Sequence, residues 1–128
     1  MKQYARSGAV WEDLVGYSRA VRCGNIIEVS GTTSVRDGEV VGEGDAAIQT
    51  RHILTIIKSA LESLGSSMED VVRTRIYVTD ISQWEAIGRS HAEFFRNIKP
   101  AATMVEVKAL IDPKLLVEIE ATAIIDLG

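Results

Sequence analysis

The chain has 128 residues, 46% of them hydrophobic and 25% charged, which suits one domain (1–128) with a real core. Its net charge of −4 leaves no electrostatic footprint for nucleic acid, and no apolar run reaches the ~18 residues that a membrane span needs. The lone cysteine, Cys23, excludes an intrachain disulfide, suits a reducing compartment and is expected as a small buried hydrophobe; the absence of an apolar leader reads as a cytoplasmic start.

In chain order, residues 1–16 show weak periodicity and read as a loose lead-in. Tyr17–Arg22 and Ile26–Ser30 read as short strands joined by the turn Cys23-Gly24-Asn25. Asp37-Gly38 predicts a small hairpin between Thr33–Arg36 and Glu39–Val41. From Asp45 to Leu64 the apolar residues Ile53, Ile57, Ala60, Leu61 and Leu64 recur at helical steps, with Asp45 to cap the start and Gly65 the end. Val71–Val78 is β-branched and alternating, so it is a strand. Ser82-Gln83-Trp84-Glu85 offers a capping box for a second helix ending near Phe95 or Arg96. Ala101–Val107 and Leu115–Ile125 are further strands around an Asp112-Pro113 turn. His52 and His91 both fall in helices, with no ligand-like spacing around them, so no metal site is expected.

This order predicts an α+β fold, a mixed sheet of about six strands with two helices on one face. Alternation then sorts the side chains. Leu115, Val117, Ile119, Ala121 and Ala123 share one face of the last strand, and Glu118, Glu120 and Thr122 the other. Val72, Thr74, Ile76 and Val78 oppose Val71, Arg73, Arg75 and Tyr77. In the stretch KPAATMVEV, Thr103, Val105 and Val107 oppose Ala102, Met104 and Glu106, and the latter set is assigned to the charged face with Arg75. That face is either solvated, with exposed ion pairs, or turned toward other copies around an interior.

The chain resembles the Rid family, also called the YjgF/YER057c/UK114 family, over nearly its whole length. The resemblance rests on GYSRAV (16–21), IIEVSG (26–31), SALESLGSSMEDVVRTRIYVTD (59–80), Phe94-Phe95, KPAATMVEV (99–107) and LLVEIEATAI (115–124), in that order and spacing. It implies a chorismate-mutase-like fold, a homotrimer with a barrel-like interior, and three clefts between subunits for a small, carboxylate-bearing ligand. It also implies cofactor-free hydrolysis of imines and enamines such as 2-aminoacrylate. Active members carry Pro-Ala-Arg-Ser/Thr-x-Val-Glu-Val, whose arginine grips the substrate carboxylate; here Ala102 stands in its place. Gly88 replaces a common site asparagine, and Met104 a frequent cysteine. Tyr17 matches the tyrosine at the cleft mouth, Ser30 and Gly31 a ligand-contacting segment, and Glu118 the water-positioning glutamate if one residue is inserted at the Asp112-Pro113 turn. Arg75 is a candidate relocated anion anchor.

Each position has a structural alternative. Tyr17 fills an interface, Ser30 and Gly31 end a strand, Glu118 pairs with Arg73 or Arg75, and Arg75 makes a salt bridge between subunits. Three functions therefore compete: a hydrolase for an imine or enamine other than 2-aminoacrylate, a non-catalytic metabolite-binding trimer, and an endoribonuclease or translation inhibitor. The acidic charge disfavours the last.

Overall fold

The computed structural model describes residues 1–128, with strands β1 (Lys2–Ala5), β2 (Ala20–Cys23), β3 (Ile26–Thr33), β4 (Val35–Arg36), β5 (Glu39–Val40), β6 (Val71–Val78), β7 (Ala101–Glu106) and β8 (Val117–Ile124). The helices are α1 (Val10–Val15), α2 (Ala46–Ser63) and α3 (Trp84–Phe95). Six strands form one mixed sheet in the order β1-β2-β3-β8-β6-β7, and β4-β5 form the expected small hairpin. Only β6 and β7 run parallel, joined through α3; every other neighbouring pair is antiparallel. No helix is long and apolar enough to cross a membrane.

The expected order holds from Ala20 onward, but the lead-in is structured. Lys2–Ala5 adds an edge strand to β2, and α1 follows it. The organiser is Glu12, whose carboxylate is buried and accepts from the Ser7 backbone N–H and hydroxyl. Its backbone carbonyl accepts from Gly16 and Tyr17, with Gly16 in the left-handed conformation that ends the helix (φ 88°). Weak apolar periodicity cannot reveal an element anchored by a buried carboxylate.

The long helix α2 starts where Asp45 accepts from the Ile48 N–H at 3.0 Å and ends before Gly65. It packs on β3 and β8, and α3 packs beside it. Ile53, Leu54, Ile57 and Leu61 meet Ile27, Ile76, Val117 and Ile119 in the core. The start of α3 differs from the expected capping box. Asp80, not Ser82, caps a short 3-10 turn (Ile81–Gln83) by accepting from the Ser82 N–H and hydroxyl. Glu85 is instead paired with Arg89 one turn along the helix. Cys23 is exposed rather than buried, because it ends β2 at the hairpin.

Two irregularities correct the expected faces. Val71 pairs with Ala123 and Arg73 with Thr122, so Val72 is an extra residue in a bulge. Val71 thereby turns into the core and Val72 is exposed, the reverse of strict alternation. In β3, Val29 pairs with Ala121 and Thr32 with Ile119, leaving Ser30 and Gly31 opposite the single residue Glu120.

Candidate functional site

The sheet face away from α2 carries the polar side chains. Arg73, Arg75 and Tyr77 alternate with the buried Thr74, Ile76 and Val78, and Glu118 and Glu120 alternate with the buried Val117, Ile119 and Ala121. The parallel register settles β7. Ala102, Met104 and Glu106 pair with Thr74, Ile76 and Val78, while Thr103 and Val105 pair with Arg75 and Tyr77. Ala102, Met104 and Glu106 thus lie on the helix side of the sheet, and the expectation that they share a face with Arg75 is overturned. Alternation within β7 itself was correct; the phase between two strands depends on register, which alternation does not reveal.

The predicted residues therefore divide into two groups. The open-face group centres on Glu118. A side-chain carbon placed on Gly31 would stand 2.5 Å from Glu118 Oε2, so the missing Cβ is what lets this carboxylate lie over β3. The Ser30 hydroxyl donates to the Ser18 carbonyl at 2.6 Å, and the Ser30 N–H to the Arg19 carbonyl at 3.0 Å. These bonds pin the segment bearing Tyr17 and Arg19 against the bulge. Arg19 donates through Nη2 to the Gly31 carbonyl at 2.5 Å, and its guanidinium carbon lies 5.9 Å from the centre of the Tyr17 ring. Tyr17, Ser30, Gly31 and Glu118 are thus assembled around Arg19, which the sequence reading passed over. Its signal was present: in GYSRAV a cation sits two residues from an aromatic, on the same side of an extended chain.

Burial pushes the Glu118 carboxyl above the ordinary carboxylate range, and the Glu120 charge adds to this while Arg19 opposes it. Glu118 forms no ion pair. The expected pairing with Arg73 or Arg75 does not occur: Arg73 donates to the Thr103 hydroxyl at 2.6 Å, and Arg75 pairs with Glu120 at 3.7 Å. Tyr77 also donates to Glu120, at 2.7 Å. Arg75 is thereby turned toward Glu120, and Glu118, opposite Tyr77, is left with acceptor capacity to spare.

The helix-side group comprises Gly88, Ala102 and Met104. Trp84, Gly88, His91 and Phe95 form one stripe of α3. His91 Nε2 lies 2.9 Å from the hydroxyl of buried Thr74, the residue paired with Ala102. Burial lowers the His91 pKa, so the ring is neutral at neutral pH. Nothing stands within 4 Å of where a Gly88 side chain would begin, and Ala102 is exposed, so this surface is open. Met104 is half-buried against the core. One copy of the chain does not bring Ala102, Gly88 or Met104 to Glu118, because the sheet separates them. No three His, Cys, Asp or Glu side chains converge as a metal would require.

The family model described as Endoribonuclease L-PSP matches residues 9–125. The crystal structure of Rv2704 from Mycobacterium tuberculosis, a member of the YjgF/YER057c/UK114 family, superposes with a TM-score of 0.89 at 50% identity, covering 98% of this chain and 100% of that one. The 3-aminoacrylate deaminase RutC of Acinetobacter baylyi is 39% identical over 86% of this chain and 87% of its own. A protein of Streptomyces coelicolor is 35% identical over 92% of this chain and 88% of its own.

Proposed function

The chain belongs to the Endoribonuclease L-PSP family, the family of YjgF and Rid proteins, and on that premise we propose that its copies form a homotrimer whose shared clefts hydrolyse a small imine or enamine. The observation that carries this reading is Glu118, a half-buried carboxylate with a raised pKa and no cation bonded to it. In imine hydrolysis, water adds to the electrophilic carbon and loses a proton, and the nitrogen gains protons and leaves as ammonia. A carboxylate titrating above its usual range serves both transfers: it accepts the water's proton and returns it to the amine. No resident cofactor is needed for that chemistry. The deaminase of Acinetobacter baylyi, at 39% identity, supports this reaction class.

The division of the site supports an assembly of copies. Glu118 lies on one face of the sheet, and Ala102 and Gly88 on the side of α3. Two copies meeting edge to face would bring both groups to one cleft. Paired apolar residues on the open face, Ile26 and Ile124, are 45% and 42% exposed, as a surface awaiting a second copy would be.

Ala102 favours a second reading, a trimer that binds a metabolite without turning it over, since a methyl group grips no carboxylate. The ribonuclease reading has less support, because the chain carries a net charge of −4 and its open face is rich in carboxylates. Ammonia release from a panel of imines and enamines generated in solution tests the proposal. Turnover abolished in Glu118→Gln supports it. A rate no higher than buffer across the panel defeats it, and saturable thermal stabilisation without turnover would select the binding-only reading.

A further inference from the structure

Ala102 leaves the helix side of the site without a cation for an acidic ligand. The open face holds one that is half-buried and closes no ion pair. Of the other arginines on that face, Arg75 pairs with Glu120, and Arg73 reaches no carboxylate but donates to the Thr103 hydroxyl in an exposed hydrogen bond. The half-buried cation is Arg19. Its guanidinium is half-buried, Nε is shut off from solvent with no hydrogen-bond partner, and Nη2 alone is bonded, to the Gly31 carbonyl. Glu12 is near enough to be felt, but its oxygens are taken by Ser7 and Arg6. Glu118 is also felt but stands off without closing an ion pair.

Withdrawing a charge from water costs several kcal/mol unless it meets a counter-charge and full hydrogen bonding. A guanidinium kept in that condition by the Gly31 carbonyl and the Tyr17 ring is arranged for an anion that arrives from outside. We infer that Arg19 is the anion anchor of this cleft, binding the carboxylate of the ligand beside Glu118, and that the open Gly88–Ala102 side receives the uncharged part. The inference rests on the hydrolase reading for the location of the cleft, though not for its chemistry. It reverses the ligand relative to an enzyme with an arginine at position 102. The acid group stands on the wall that bears the general base, and the substituent extends toward Gly88 and His91.

Calorimetric binding of matched acids and amides tests this: propanoate with propanamide, pyruvate with pyruvamide, and benzoate with benzamide. The unmodified protein should prefer at least one acid over its amide by tenfold or more. In Arg19→Gln the preference should fall below threefold while amide affinity stays within twofold, a pattern that a damaged fold would not give. Should Arg19→Gln fail to fold, Arg19→Lys decides, a weakened preference supporting the anchor and an unchanged one overturning it. An unmodified protein with no acid preference also overturns it, as does a preference that survives Arg19→Gln but is lost in Arg75→Gln. The two readings fail separately. Arg19-dependent acid binding without any turnover defeats the hydrolase and leaves the anchor. Turnover of imines without dependence on Arg19 does the opposite.

Discussion

A Cβ on Gly31 would sit 2.5 Å from Oε2 of Glu118 and 3.0 Å from its Cδ. The glycine is therefore required by the carboxylate's position. Its backbone is not in the left-handed region, so a side chain would bring no torsional strain. Gly31→Ala should fold with a stability loss of at most ~1 kcal/mol, because the clashing atoms end a flexible side chain. It should nevertheless swing Glu118 aside and reduce turnover by about 100-fold, the scale of an ångström of misplacement. Melting curves beside ammonia-release rates check this, and a fully active Gly31→Ala would contradict it.

Glu118 also sets a pH dependence. Its folded pKa is raised by burial, so between the unfolded and folded values the native state holds more protons than the unfolded one. Stability therefore falls as pH rises through that interval. Glu118→Gln should remove this slope and raise the melting temperature at neutral pH by ~2–5 °C, while abolishing turnover. At pH values below the ordinary carboxylate range the two proteins should melt alike. On the hydrolase reading, the rate of the unmodified protein should rise with pH, with its midpoint above the usual range for glutamate.

His91 gives the opposite slope. Its folded pKa is depressed by burial, so acidification through the ordinary histidine range favours the unfolded chain. The neutral ring partners the hydroxyl of fully buried Thr74. His91→Ala should cost ~1–3 kcal/mol at neutral pH by leaving that hydroxyl unpaired. It should also flatten the loss of stability between about pH 7 and 5, the window around the ordinary histidine value. Denaturant titrations at both pH values measure the two effects.

Gln49 holds the approach to the site. It is fully buried on α2, donates to the carbonyls of Gly42 and Lys114 at 3.1 and 2.9 Å, and accepts from the Leu116 N–H at 2.8 Å. The residue it grips last lies two positions before Glu118. Gln49→Leu should destabilise the fold by about 2–4 kcal/mol, since it leaves backbone groups of two loops unpaired in the interior. A shift in denaturant midpoint with an unchanged slope is the expected reading.

Ala102→Arg tests whether one guanidinium restores the missing clamp. Ala102 is exposed on an edge strand, so the variant should fold within ~0.5 kcal/mol of the parent. It should not gain full 2-aminoacrylate hydrolysis, because Gly88 and Met104 still shape that wall and Arg19 still holds a charge on the other. Full activity from this single change would refute the expectation.

Much of this protein can be read from local order along the chain. The helical spacing of Ile53, Ile57 and Leu61 and the alternation of VVRTRIYV and VEIEATAI repeat every few residues, so they need no knowledge of distant partners. They determined the long helix α2, the central strands, the α+β class and the charged face with Glu118, and the ordered motifs determined the family. Relations between segments were decided only in three dimensions. The register of β7 on β6 moved Ala102 and Met104 to the helix side, and bulges at Val72 and at Ser30-Gly31 changed which residues turn inward. Glu12, Gln49 and Arg19 have meaning only through partners elsewhere in the chain, since a buried polar group is stable where folding supplies its bonds. Periodicity records which side of a segment is apolar. Which neighbour that side meets, and at what register, is set by packing the whole chain at once.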